Sequence, residues 1–184
     1  MHEMKTEPSD VVSFWFADET KPNWFEGNDE FDAELEKRFG AAYEAARSGQ
    51  LDAWAENPQS ALALILLLDQ IPRNIHRNTP EAFATDAQAL ALAKQAIERG
   101  FDTALTAEQR QFLYLPFMHS EQLAEQERGV ELYSALGVAE PLDFMRRHRD
   151  IIARFGRFPH RNKILGRASS DEEEAFLKLP GSHF

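Results

Sequence analysis

The chain has 184 residues, enough for one domain with a sizeable core. Its formal net charge of −11 argues against nucleic acid and anionic membrane surfaces as partners. The absence of cysteine excludes disulfides, thiolate catalysis and cysteine-ligated zinc.

The first residues, 1–8, are polar and read as a flexible tail. Met1 to Asp10 hold no apolar stretch of the signal-peptide kind. The longest apolar run, Ala61 to Leu68, is far short of the ~18 residues of a membrane span, so a cytoplasmic location is expected. Ser9 is expected to cap a short helix carrying Val12, Phe14, Trp15 and Phe16. After a loop with Pro22 and Gly27, Asn28 precedes two acids, an N-terminal signature. Phe31, Leu35, Phe39 and Tyr43 then recur on one helical face, and Gly49 can close that helix. Asn57-Pro58 opens the next helix, whose unbroken run Ala61 to Leu68 predicts burial all round. Pro72 is expected to end it.

Thr85-x-x-Gln88 and Thr106-x-x-Gln109 read as capping boxes. The first leads into the stripe Leu90, Ala93 and Ile97, the second into Phe112, Leu113 and Leu115. Pro116 is expected to interrupt that helix, and Ser120 to cap the one that follows, which closes at Gly137. Pro141 starts a helix with Phe144, Met145, Ile151, Ile152 and Phe155 on its apolar face, stopped by Gly156. His148 falls on that stripe and reads as a core histidine. Ser170-x-x-Glu173 caps a last short helix. The sum is an all-α single domain of about eight helices in antiparallel hairpins.

Three polar clusters punctuate this pattern. The longest is Arg154 through Asn162, with a shorter echo at Asp69-Gln70-Ile71-Pro72-Arg73-Asn74; between them lies His119-Ser120-Glu121. Residues 146–167 hold eight cations against the single acid Asp150. Either these arginines pair with acids such as Asp171 to Glu174 just downstream, or a few of them line an anion pocket.

These segments carry a family resemblance. Phe14-Trp15-Phe16, Trp24-Phe25, Phe31-Asp32, Leu62 through Gln70, Arg73-Asn74 and Phe83-Ala84-Thr85-Asp86 match in order. His119-Ser120-Glu121, Phe155 through Asn162 and Leu165-Gly166-Arg167 follow. Together they make the chain resemble, from about residue 10 onward, the bacterial family called domain of unknown function 924. The resemblance implies a tetratricopeptide-like, right-handed helical array and brings no activity, cofactor or catalytic residue with it. Asn78 stands where the family suggests glycine, and asparagine tolerates the same left-handed backbone.

From the residues themselves, Asp69, Arg73, Asn74, Arg157, Arg161 and Asn162 are the candidate ligand-binding groups, and His160, His119 and Glu121 the candidate acid–base groups. Arginine offers a donor fork suited to carboxylate or phosphate, and a histidine in a basic loop is held toward its neutral form. If the chain is an enzyme, hydrolysis or other acid–base chemistry on a small anionic substrate fits best. No Gly-x-Ser-x-Gly elbow and no metal-binding spacing occurs, so neither a serine triad nor a metal nor a cofactor is expected. Two alternatives stand beside the anion pocket: a module gripping an acidic peptide, and polar motifs that only knit helix ends together. Oligomeric state is not legible.

Overall fold

The computed structural model describes residues 5–184; Met1–Met4 of the expected tail lie outside the described residues. Among the described residues the chain is all-helical, with nine α-helices, five short 3-10 turns and no strand. None of these helices is long and apolar enough to cross a membrane. Backbone contacts fall into two compact units. The first runs to Arg77 and resumes over Glu81–Pro116; the second comprises Asn78–Pro80 and Phe117–Phe184.

In the first unit α1 (Pro8–Trp15) starts earlier than Ser9 suggests. Pro8 takes the first helical position, and Asp10 accepts a hydrogen bond from the Glu7 N–H at 2.8 Å. Asn28 caps α2 (Asp29–Arg47), accepting from the N–H groups of Glu30 and Phe31. Asn57 caps α3 (Pro58–Asp69) through the Ser60 N–H. Every residue of α3 from Ser60 to Asp69 is buried. Helices α1, α2 and α5 (Asp86–Glu98) pack around it, which is why this helix has no polar face. The chain does not leave helical geometry for long at Pro72: after Gln70 it enters a further short helix, α4 (Ile71–Ile75), with Pro72 in its first turn, where a missing N–H costs nothing. Phe14, Trp15, Phe16, Trp24, Phe31 and Phe112 make an aromatic cluster against this core.

Helix α6 (Ala107–His119) opens with the reciprocal Thr106–Gln109 capping box. Contrary to the sequence expectation, Pro116 lies inside it. Proline in a helix interior costs about 3 kcal/mol. Leu115, Phe117 and Met118 beside it are all buried, and their packing offsets that penalty.

In the second unit α7 (Leu123–Leu136) packs on α8 (Ala139–Phe155). Gly129 permits the approach: a Cβ there would meet Met145 Sδ at 2.7 Å. Ser120 is not the cap of α7. Gln122 holds that position, and the Ser120 hydroxyl accepts from the Gln122 N–H at 3.2 Å in a turn before it. Gly137 and Gly156 close α7 and α8 with φ of 76° and 70°. Ser170 caps α9 (Asp171–Leu177) with the expected Glu173 box. Asn78 adopts φ 63°, as expected of the residue in glycine's place.

Candidate functional site

In the first unit the end of α3 is buried, so its last carbonyl groups need donors from side chains. Thr85 supplies one: its hydroxyl donates to the Leu68 carbonyl at 2.5 Å. It therefore stands at the start of α5 without capping it, contrary to the box expected there. Arg73 supplies another, donating to the Asp69 carbonyl at 2.7 Å. The same guanidinium grips Asp86 with both branches, at 2.7 and 2.9 Å, and lies 3.6 Å from the fully buried Asp69 carboxylate. Asn74 donates to Asp32 at 2.8 Å, and Arg77 holds the same carboxylate through two bonds of 2.7 and 2.8 Å. Asp69 and Arg73 thus join Asp86 of α5, and Asn74 joins Asp32 of α2, each through carboxylates of the chain itself. His76 lies against the Tyr43 ring, centroids 5.5 Å apart.

The second unit holds the other six candidates. Arg157 pairs with Glu173 at 2.8 and 2.9 Å and donates to the Ala168 carbonyl at 2.7 Å. Asn162 is buried; it donates to Glu173 and Ser169 and accepts from Arg167 at 2.9 Å. Arg167 also takes both oxygens of Glu121, at 2.8 and 3.0 Å. One of those oxygens accepts the Phe158 N–H as well, at 2.8 Å. Burial pushes the Glu121 carboxyl up, but the bonds from Arg167 and Phe158 outweigh it and hold it below the usual carboxylate range. Glu121 is accordingly an ionised acceptor in place, not a proton donor. Glu173 is held at about 2, first by Arg157 against the effect of burial, then by the Ser170 N–H.

His160, Arg161 and His148 surround the buried ring of Phe158. The Arg161 guanidinium stacks over that ring at 4.6 Å, and the His160 and His148 rings approach it at 5.6 and 5.5 Å. Arg161 is itself buried and donates to the carbonyl of His119, the last residue of α6, at 3.0 Å. Phe158 is anchored by Ile151 and Ile152, with Phe155 and Phe176 packed beside them. His148 Nδ1 lies 2.7 Å from the Phe144 carbonyl; a carbonyl only accepts, so this nitrogen carries the hydrogen. Burial, only partly opposed by the bond to the Phe144 carbonyl and aided by the nearby Arg161 cation, lowers the His148 pKa to about 3, and its ring is neutral. It is the core histidine expected from the stripe. Among the described residues no three histidine or carboxylate side chains are placed to share a metal ion.

Sequence reading missed the partners more than the motifs. Asp86, Asp32 and Arg167 stood inside recognised segments without a role, whereas Glu173 was legible both as a helix cap and among the acids expected to pair with the basic stretch. Nothing in the sequence signalled Phe184, whose ring lies against His148 at 3.8 Å.

The chain belongs to the family described as bacterial protein of unknown function (DUF924), whose model matches residues 11–181. It is similar to a solved structure of a protein of unknown function from Agrobacterium tumefaciens, with 44% identity, a TM-score of 0.88, and 93% of this chain and 96% of that one covered. No curated protein matches.

Proposed function

We propose that the group formed by His148, His160 and Arg161 around Phe158, with His119 at the end of α6 where Arg161 caps it, binds a small anion, a carboxylate or phosphate compound, in the cytoplasm. The observation that carries this reading is the ring of Phe158 with a guanidinium on it and two imidazoles beside it. The donors here are Arg161 and His160, since the one N–H of neutral His148 goes to the Phe144 carbonyl; partly buried donors stabilise an anion far more than exposed ones do. Glu121 holds the loop through Arg167 and the Phe158 N–H, so it positions the group rather than touching the ligand. If the ligand is turned over, His160 or His119 is the base. An acidic peptide segment would be held by the same carboxylate chemistry.

A specific observation favours a structural role for the remaining candidates. Arg73, Asn74, Arg157 and Asn162 each hold a carboxylate of the chain itself. In this reading they and Asp69 are framework.

Thermal-shift screening against phosphorylated metabolites and organic acids tests both parts. Arg161→Gln is expected to abolish the stabilisation by any hit. Arg157→Ala is expected to lower the melting temperature while leaving the ligand-induced shift. A hit indifferent to Arg161→Gln overturns the assignment.

A further inference from the structure

After α9 the chain turns at Gly181, φ 74°, and is pinned by Ser182. That side chain is buried; its hydroxyl donates to the Leu177 carbonyl at 3.1 Å and lies 2.9 Å from His183 Nδ1. Pinning directs Phe184 onto the histidines. Its ring lies face to face with the His148 imidazole, centroids 3.8 Å apart and planes 29° from parallel. It meets His160 edge-on at 6.0 Å. Phe184 is nevertheless 46% exposed as a residue, so the stack holds an aromatic group at an open position rather than in the core.

The slot so formed has a defined chemistry. Its floor is an imidazole face, held in place by the bond from His148 Nδ1 to the Phe144 carbonyl. Its side is a second imidazole. Phe158, the wall that His148 meets edge-on, carries the Arg161 guanidinium on its ring. A planar ring fits the floor by offset stacking, and a carboxylate on that ring falls among donors.

We propose that the Phe184 ring stands where a ligand ring binds: the site takes an aromatic carboxylate, with its ring on His148 and its carboxylate toward Arg161 and His160, and Phe184 must swing out to admit it. This deepens the anion-site reading above and rests on it. The resident ring then lowers apparent affinity by the fraction of time it fills the slot; occupancy of about 90–99% corresponds to a ~10–100-fold loss.

Titration calorimetry with benzoate, cyclohexanecarboxylate and acetate tests this on the parent chain, Phe184→Ala and Arg161→Gln, each checked by circular dichroism. Phe184→Ala is expected to bind benzoate at least ~10-fold more tightly than the parent, with acetate unchanged and cyclohexanecarboxylate well below benzoate. Arg161→Gln is expected to lose benzoate. Equal benzoate affinity in the parent and Phe184→Ala, or equal affinity for the planar and saturated rings, overturns the slot. If acetate or phosphate still binds through Arg161 in that case, the anion site stands and the aromatic slot falls. If no anion binds any of the three proteins, both fall.

Discussion

Glu173→Gln removes charge from a carboxylate that gathers Arg157 Nε at 2.8 Å, Arg157 Nη2 at 2.9 Å, the Ser170 N–H at 2.8 Å and Asn162 Nδ2 at 3.3 Å. Its pKa is lowered from 4.5 to about 2, chiefly by Arg157. At full value such a gap corresponds to ~3 kcal/mol of folding free energy. The Arg157 side chain is 32% exposed, however, and water screens the pair, leaving ~1–2 kcal/mol. The glutamine amide also turns a donor toward donors, so a total loss of about 2 kcal/mol is expected near neutral pH. For a chain of this size that lowers the melting temperature by ~4–8 °C. The sign with pH follows from a depressed carboxyl. The stabilisation is complete above the unfolded value of 4.5 and disappears as pH falls toward about 2. Calorimetric melts of parent and variant should therefore differ near neutrality and converge across that window. Coincident melts at neutral pH, or a gap that persists unchanged at the acid end, would refute the reasoning.

Asp86→Ala leaves the half-buried Arg73 guanidinium without its two-branched partner; urea unfolding should show a loss of about 3 kcal/mol, and a loss under ~1 kcal/mol would mean that Asp69 alone suffices. His148 should show no imidazole titration by NMR between about pH 5 and 8. Because its folded pKa is depressed to about 3, folding stability should fall as pH drops below 6.5, and His148→Gln should remove that part of the slope. Gly129→Ala brings a Cβ within 2.7 Å of Met145 Sδ; overpacking of ~1–3 kcal/mol exceeds the ~1 kcal/mol gained in helix propensity, so the melting temperature should drop, and a rise would show that Met145 yields freely.

Helices and many of their boundaries were legible because their causes are local. Asn28, Asn57, the Thr106–Gln109 box and the Ser170–Glu173 box cap where the sequence places them. Tertiary packing decided the failures. Pro116 stays inside α6 because its neighbours are buried, and Thr85 gives its hydroxyl to Leu68 instead of to its own helix. The polar motifs were visible as clusters, yet their partners lay far along the chain. Arg73 to Asp86 and Asn74 to Asp32 span turns and helices whose packing no periodicity reports. The charge imbalance over 146–167 had a nearer answer: Arg154 and Arg157 pair with Glu172 and Glu173, the downstream acids considered at the outset.

The two echoed Arg-Asn segments perform one task in each unit. A buried helix end leaves carbonyl oxygens that water cannot reach. At the end of α3, Thr85 serves Leu68 and Arg73 serves Asp69. At the end of α6, Gln126 donates to the Met118 and Ser120 carbonyls at 2.6 and 2.7 Å, and Arg161 serves His119 between them. In each case an arginine donates to a carbonyl at the helix end. At α3 the same guanidinium grips Asp86, a carboxylate of the chain, with both branches. At α6 the guanidinium lies on Phe158 among imidazoles. The proposed anion site rests on the second of these arrangements, in which the same capping device is set beside an aromatic ring and two imidazoles.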